Sequence, residues 1–226
     1  MPASPRAVIF DLDGTLIDSA PDLLEALNHV LAQQGRRGAD LHEVHMMMGH
    51  GAVHLLDKGL AATGGVPPEG VHEALVESFL EYYEAHIAVH TRPFPGVLET
   101  LAILRDTGYK MAVCTNKMQH FANKVLDALE LGAFFETVVC GGATGFYKPD
   151  PKHLGAVLEK MVLQPHESVM VGDSINDVAA AQALNMPVAV VTYGYSPEAV
   201  CGLGADMVLE SFDALPAALG ELAAAT

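Results

Sequence analysis

Tryptophan is absent from this sequence of 226 residues, and cysteine is scarce. The three cysteines, Cys114, Cys140 and Cys201, are an odd number and lie far apart in apolar surroundings. This arrangement argues against a disulfide-stapled secreted domain. It predicts a protein of a reduced, cytoplasmic compartment.

Positive charge is also scarce, since 12 Lys and Arg stand against 28 Asp and Glu and the formal net charge is -16. Nucleic acids and anionic membranes attract clustered Lys and Arg, so the sequence predicts neither as a partner. The same charge repels anionic substrates. A site for a phosphate would therefore need local positive charge from a metal, a lysine or backbone amides.

Uncharged runs suited to a membrane are lacking as well. The longest stretch without a charged residue, 178–197, contains Asn185, Pro187 and Gly194, which predicts a helix, a turn and a strand. The first residues are too quickly followed by acids for a secretory signal, and we expect no targeting leader. Length and composition predict a globular core domain with a sizeable insertion.

Between about residue 15 and residue 90 no strand-like alternation appears, and several stretches have helical spacing. Ser19 with Asp22 predicts a helix start of the capping-box type, and Gly35 predicts the end of that helix. Apolar spacing predicts further helices over residues 51–62 and 71–90.

Beyond the Pro- and Gly-rich segment 91–96, predicted helices and strands alternate. Strands are predicted at 110–114, 137–140, 168–171, 188–191 and 207–209, and helices at 97–106, 119–129, 152–161 and 175–184, before an Ala-rich closing helix. With an opening strand at 7–10, this order predicts a parallel sheet covered on both faces. The predicted fold class is α/β: a Rossmann-like three-layer core of residues 1–14 and 91–226, with a small helical cap inserted at 15–90.

Reactive residue types follow four of the predicted strands. They are Asp11 and Asp13 after the first strand, Thr115 and Asn116 after the second, Lys148 in the loop after the third, and Asp173 after the fourth. Ligands of open parallel sheets bind beyond the carboxyl ends of the strands. The four placements therefore predict one site at one edge of the sheet.

Each of these residues has a use in phosphoryl transfer. Asp11 can attack an electrophilic phosphorus and form an acyl phosphate. Asp13 can give a proton to the leaving oxygen and later take one from water. Thr115 and Lys148 can bind phosphoryl oxygens, with backbone N–H groups near Asn116 as further donors.

The carboxylates also predict a metal site. Asp11 and Asp173 make a hard oxygen site that suits Mg²⁺, and such an ion would offset the repulsion between Asp11 and Asp13. Asp177 has two interpretations. With Ser174 it matches a capping box at a helix start, and it is equally placed to support the metal ligands.

Four motifs together resemble those of the haloacid dehalogenase-like hydrolases: DLDGT at 11–15, TN at 115–116, KP at 148–149 and GDSIND at 172–177. FDLDGTLIDSAPDL, the GHG element, RPFPGVLETL, TNK and YGY are similar to bacterial phosphoglycolate phosphatases. The resemblance implies Asp11 as nucleophile, Asp13 as acid/base, and Mg²⁺ held by the Asp11 carboxylate, the Asp13 carbonyl and Asp173.

The resemblance further implies a small helical cap and a small phosphorylated metabolite as substrate, above all 2-phosphoglycolate, cleaved through an aspartyl phosphate. A monomer or a homodimer is expected. Within the predicted cap, Gly49, His50 and Gly51 are candidate substrate contacts. His50 and His54 have the spacing of zinc ligands, but no Glu follows His50 as in a metalloprotease, so a substrate contact is favoured over a structural zinc.

Other functions fit part of the pattern. A sugar-phosphate phosphatase or a β-phosphoglucomutase-like phosphomutase would use the same core, since specificity resides in the cap and loops. A signalling receiver domain places its acidic pair before the phosphorylated Asp, whereas Asp173 and Asp177 follow Asp11. A turn explains Asp11 and Asp13 alone, and a surface lysine explains Lys148 alone. The complete set favours an enzyme over a non-catalytic binding module.

Overall fold

The fold comes from a computed structural model, which describes residues 5–196 and 202–225. Cys201 and the first four residues of the predicted core lie outside the described residues. The strands are β1 (Ala7–Phe10), β2 (Ile17–Asp18), β3 (Arg92–Pro93), β4 (Lys110–Met118), β5 (Thr137–Gly141), β6 (Ser168–Gly172), β7 (Val188–Val191) and β8 (Met207–Leu209). The helices are α1 (Ala20–Gln33), α2 (Leu41–His45), α3 (Ala52–Thr63), α4 (Glu69–Ala85), α5 (Val97–Asp106), α6 (Gln119–Ala128), α7 (Pro151–Met161), α8 (Ile175–Gln182) and α9 (Leu215–Ala225).

Six strands form one parallel sheet in the order β5-β4-β1-β6-β7-β8. Alternate residues of β1 point to opposite faces of this sheet. Val8 and Phe10 join one buried apolar cluster, and Ala7 and Ile9 join the other. The predicted three-layer α/β fold is confirmed. Within the described ranges, no helix has both the length and the apolar character needed to cross a membrane.

Helices α1 to α4 pack around a third apolar cluster. Leu27 of α1, Leu56 of α3 and Phe79 of α4 are fully buried in it. Gly59 lets α3 approach α1, because a Cβ at this position would collide with the Leu27 side chain. The antiparallel pair of β2 and β3 joins the two ends of this helical block. The boundaries of the block at 15 and 90 stay a prediction.

The start of α1 differs from the predicted capping box. Ser19 precedes α1, but its side chain caps no helix N–H and donates to Asp13 instead. Asp22 accepts from the backbone N of His90 at 2.8 Å and from N and Oγ1 of Thr91 at 2.9 and 2.6 Å. The capping-box prediction was wrong because both side chains have partners distant in sequence.

Other elements of the structure also differ from the prediction. Helix α4 ends at Ala85 rather than at residue 90, and Ala88 just beyond it has a positive φ of 62°. Strand β4 runs past its predicted end to Met118, with a register shift after Thr115. Helix α2 was not predicted, because five residues with only Val44 buried carry no apolar period.

Candidate active site

Side chains from the ends of β1, β4 and β6 meet in one cleft of about 180 Å³. These strands are neighbours in the sheet, so their carboxyl ends lie side by side. The predicted site residues that line the cleft are Asp11, Asp13, Gly49, His50, Gly51, Thr115, Asn116 and Asp173. Lys148 and Asp177 complete the group, since the ammonium of Lys148 contacts both Asp11 and Asp177.

Lys148 holds two carboxylates together. Its Nζ lies 2.9 Å from Asp11 Oδ1 and 2.7 Å from Asp177 Oδ1, and the residue is only 2% exposed. Burial disfavours the ammonium form, but the nearby Asp11 and Asp177 outweigh burial and raise the pKa of Lys148 above its usual range. This degree of burial excludes the interpretation of Lys148 as a solvated surface lysine.

The carboxylates of the cleft are crowded. Asp11, Asp173 and Asp177 offer oxygens that lie within 4.8 Å of one another and could hold a metal ion. Burial raises the pKa of Asp11 to about 6, with Lys148 opposing the shift and Asp177 adding to it. Burial, then Asp177 and Asp11, raise the pKa of Asp173 well above its ordinary value. Hard oxygen ligands at this spacing fit a divalent cation, which would relieve their repulsion.

Hydrogen bonds fix the orientation of the two later acids. Asp177 Oδ2 accepts from N and Oγ of Ser174 at 3.1 and 2.8 Å, while its Oδ1 pairs with Lys148. Asp177 thus caps α8 and also belongs to the acidic group. Its support of a metal stays a prediction. Asp173 Oδ2 accepts from the backbone N of Tyr195 at 2.7 Å, and its Oδ1 accepts from Thr15 Oγ1 at 3.3 Å.

Two glycines make room for the acids. Gly14 has a φ of 87°, which favours glycine, and a Cβ there would collide with the carboxylate of Asp173. A Cβ at Gly172, the last residue of β6, would collide with the side chain of Asp177. A larger residue at either position would displace an acid of the site.

Asp13 is held by two donors. Ser19 Oγ lies 2.6 Å from Asp13 Oδ1. The Nζ of Lys117 lies 3.0 and 3.1 Å from the two carboxylate oxygens of Asp13, and it donates to the hydroxyl of Tyr83 at 2.8 Å. Burial opposes the charge of Lys117, but Asp13 and then Tyr83 outweigh burial and raise the pKa of this ammonium.

Sequence reasoning assigned no role to Lys117 or Tyr83. Lys117 directly follows Thr115 and Asn116 near the end of β4, and this position is the sequence feature that could have identified it as a site residue. Tyr83 gave no such signal, because it lies 34 residues from Lys117 and at the end of α4, in the helical block.

Thr115 and Asn116 make different contacts. Thr115 Oγ1 accepts from the backbone N of Lys117 at 3.1 Å. The side chain of Asn116 accepts from Lys148 N at 2.8 Å and donates to Lys148 O at 2.9 Å. The amide of Asn116 therefore anchors the loop that carries Lys148, and the phosphate-binding role of its backbone N–H stays a prediction.

Gly49 connects the helical block to the sheet. Its carbonyl accepts from Nδ2 of Asn116 at 3.2 Å and from Nδ2 of Asn176 at 3.1 Å. His50 and Gly51 follow along the cleft wall, with His50 exposed. The predicted substrate contacts of this loop are thus located opposite the acids.

The remaining candidates from the sequence, the pair His50 and His54 and the thiol of Cys114, lack the surroundings that a zinc site or a reactive thiol requires. The rings of His50 and His54 are 5.0 Å apart, but across residues 5–196 and 202–225 only the acidic group assembles three potential metal ligands. A third ligand for zinc is therefore missing from the described part of the chain. Cys114 is fully buried, and burial raises the pKa of its thiol to about 12, as expected for an inert core thiol.

The family model described as "Haloacid dehalogenase-like hydrolase" matches residues 8–191. This covers the strand ends that carry every catalytic candidate. The chain belongs to the haloacid dehalogenase-like hydrolase family.

Individual relatives indicate which activity within the family this chain resembles. The chain is 42% identical over 211 residues to a phosphoglycolate phosphatase of Caulobacter vibrioides, covering 93% of this chain and 89% of the relative. It is 39% identical to a phosphoglycolate phosphatase of Agrobacterium fabrum, covering 97% and 94%. A crystal structure of a predicted phosphoglycolate phosphatase from Haemophilus somnus superposes with a TM-score of 0.91 at 28% identity, covering 95% and 97%. Family, site and relatives support a phosphoric monoester hydrolase that acts on a small phosphate ester.

Proposed function

We propose that this chain hydrolyses 2-phosphoglycolate to glycolate and inorganic phosphate through an aspartyl phosphate on Asp11. The observation that carries the proposal is the contact of Lys148 with Asp11 beside a second carboxylate, Asp13, two residues along the chain. This is the arrangement that a nucleophile and a separate acid/base require. The relatives named phosphoglycolate phosphatase support the choice of substrate.

In the first step, an Asp11 oxygen attacks phosphorus and the bond from phosphorus to the ester oxygen breaks. Asp13 gives its proton to that oxygen, which leaves as the hydroxyl of glycolate. In the second step, Asp13 takes a proton from water while the water oxygen attacks the phosphorus. The acyl phosphate bond breaks, and Asp11 and inorganic phosphate are released.

Phosphoryl oxygens need donors during both steps. In this proposal they are the hydroxyl of Thr115, the backbone N–H of Asn116 and the ammonium of Lys148. Lys148 is already fixed beside Asp11, so its charge needs little reorganisation when the phosphoryl group arrives.

The proposed metal is Mg²⁺, held by the carboxylates of Asp11 and Asp173 and the carbonyl of Asp13, with Asp177 in support. The charges of the acidic group fit such an ion: four carboxylates (Asp11, Asp13, Asp173, Asp177) and the two ammonium groups that contact them (Lys117, Lys148) leave a formal charge of about -2. When bound, Mg²⁺ would supply positive charge to the phosphoryl oxygens.

We infer that residues 15–90 act as a cap over the cleft, with Gly49, His50 and Gly51 contacting the substrate. The contacts of Gly49 with Asn116 and Asn176 support this role. The proposal also includes a cytoplasmic protein that works as a monomer or a homodimer.

A panel of phosphate esters, assayed for phosphate release with and without Mg²⁺, tests the proposal. We expect 2-phosphoglycolate to be the best substrate, and a hexose phosphate converted to its isomer would instead indicate a phosphomutase. Asp11→Asn should lose turnover by several orders of magnitude while keeping its fold. Cys114→Ala is the control and should change the rate little. Normal turnover by Asp11→Asn would end the covalent mechanism.

A further inference from the structure

We propose that Lys117 recognises a carboxylate on the leaving group and so selects phosphate esters of short hydroxy acids. This inference rests on the proposed phosphatase function and adds a residue that decides which ester is accepted. It starts from the position of one buried ammonium group beside Asp13, on the side of the cleft where the leaving oxygen must lie.

The surroundings of Lys117 place its charge at the leaving-group side of the cleft. The side chain is 6% exposed and lines the cleft. Its Nζ is held between the two oxygens of Asp13 and the hydroxyl of Tyr83, and it lies 5.0 Å from the centre of the Tyr83 ring. The three N–H groups of the ammonium are used by the two oxygens of Asp13 and the neutral hydroxyl of Tyr83. A substrate carboxylate would therefore replace one of the two bonds to Asp13 and share the charge of Lys117 with it.

The covalent structure of the substrate brings its carboxylate to this position. In its proposed role, Asp13 must come within about 2.6–3.2 Å of the ester oxygen. In 2-phosphoglycolate a single methylene separates that oxygen from the carboxylate. A cation at 3.0 Å from Asp13 is therefore within reach of the carboxylate of the same substrate.

A cation is needed where the substrate carboxylate lies close to the carboxylate of Asp13. A substrate carboxylate beside Asp13 faces the like charge of that side chain, which is costly away from water. Lys148 is engaged between Asp11 and Asp177 on the nucleophile side. Among the described residues, the basic side chains that line the cleft are His50, Lys58 and Lys117. Of these three, Lys117 is the one whose side chain forms an ion pair with Asp13.

The test compares two substrates that differ only in charge: 2-phosphoglycolate and 2-hydroxyethyl phosphate. Lys117→Gln keeps N–H donors for Asp13 and Tyr83 but removes the charge, and Lys117→Met removes both. We expect the ratio of kcat/KM for 2-phosphoglycolate over 2-hydroxyethyl phosphate to fall on the order of 100-fold in both variants. Thermal unfolding of each variant checks that it is folded.

Two controls separate recognition from general damage. Lys58→Met removes the other lysine of the cleft wall and should leave the ratio within about 3-fold. Tyr83→Phe keeps the charge of Lys117 and should also preserve the ratio. Product inhibition gives a readout without turnover: glycolate should inhibit both Lys117 variants much more weakly than the unmodified protein, while inhibition by inorganic phosphate stays nearly unchanged.

The outcomes are distinct. Equal losses on both substrates would mean that Lys117 only positions Asp13, and this would overturn the inference. A ratio that falls in Lys58→Met but not in the Lys117 variants would overturn it as well. If the unmodified protein released phosphate from neither ester, the proposed function itself would fail.

Discussion

At the scale of single residues, the site is organised by opposite charges without water between them. Lys148 and Lys117 each bind a carboxylate of the DLD segment, Lys148 at Asp11 and Lys117 at Asp13. Buried ion pairs contribute little net stability, but removing one partner leaves an uncompensated charge. The two lysines therefore keep the nucleophile and the acid/base in separate environments, although only two residues divide them.

The raised pKa of Asp11, about 6, predicts a dependence of stability on pH in the metal-free protein. The folded protein binds this proton more tightly than the unfolded chain, whose ordinary value is 3.8. The contribution of Asp11 is thus fully present below about pH 3.8 and is lost as the pH rises through about 6. Asp173 acts in the same direction.

This dependence can be measured by urea unfolding in EDTA between about pH 4 and pH 7. Asp11→Asn should become more stable relative to the unmodified protein as the pH rises. The exposed exchange Asp106→Asn serves as the control and should show no such trend. An unchanged difference between Asp11→Asn and the unmodified protein across this range would contradict the assigned cause.

At the scale of elements, helices and strands with a continuous apolar face formed where the sequence predicted them, whereas the contacts at the ends of the helical block were not predicted. Helix α5 and strand β7 have the predicted bounds, because each buries an apolar face without interruption. The capping-box prediction for α1 was wrong because Asp22 bonds to residues 90 and 91, at the other end of the helical block in the sequence. These hydrogen bonds join segments that are distant in sequence, so no local residue pattern predicts them.

The contacts of Asp22 give a prediction for this junction. Asp22→Asn replaces one accepting oxygen with an N–H donor, which then faces a donor of His90 or Thr91. Because the residue is 1% exposed, we expect a loss of about 1–3 kcal/mol in the free energy of unfolding. Urea denaturation measures the loss. The exposed exchange Asp127→Asn should lower the free energy of unfolding by less than about 0.5 kcal/mol. Equal losses in the two variants would show that the hydrogen bonds of Asp22 contribute little to stability.

At the scale of the whole molecule, polar contacts join the helical block to the rest of the fold around the cleft. The hydroxyl of Tyr195 accepts from the backbone N of Ser19 at 2.8 Å and donates to Asp18 Oδ1 at 2.6 Å. Besides Gly49 and Tyr83, Glu84 at the end of α4 accepts from His120 Nε2 and Lys124 Nζ of α6 at 2.8 and 2.7 Å. Both pairs are exposed and are worth little individually. Inside the cleft, by contrast, the buried carboxylates of Asp11, Asp173 and Asp177 lie within 4.8 Å of one another and repel when ionised.

Relief of that repulsion predicts that a divalent cation stabilises the whole protein. A ligand that binds only the folded state stabilises it by RT ln(1 + [L]/Kd), about 2.7 kcal/mol at one hundred times Kd. We expect Mg²⁺ to raise the melting temperature, and EDTA to reverse the rise. Asp173→Asn should lose most of the effect, whereas Asp206→Asn, outside the cleft, should keep it. A rise of equal size in both variants would place the ion elsewhere.

The sequence by itself determined the α/β class, the alternation of strands and helices from α5 onward, and the placement of Asp11, Asp13, Thr115 and Asp173 at one edge of the sheet. These features depend on periodicity and on the rule that parallel strands end at one edge, which are both local or topological. Only the tertiary structure decided that Lys117 pairs with Asp13, that Tyr83 reaches Lys117 from α4, and that Asp177 is both a cap and a partner of Lys148. Those contacts join segments far apart in the chain, and their strength comes from burial, which no local pattern of residues specifies.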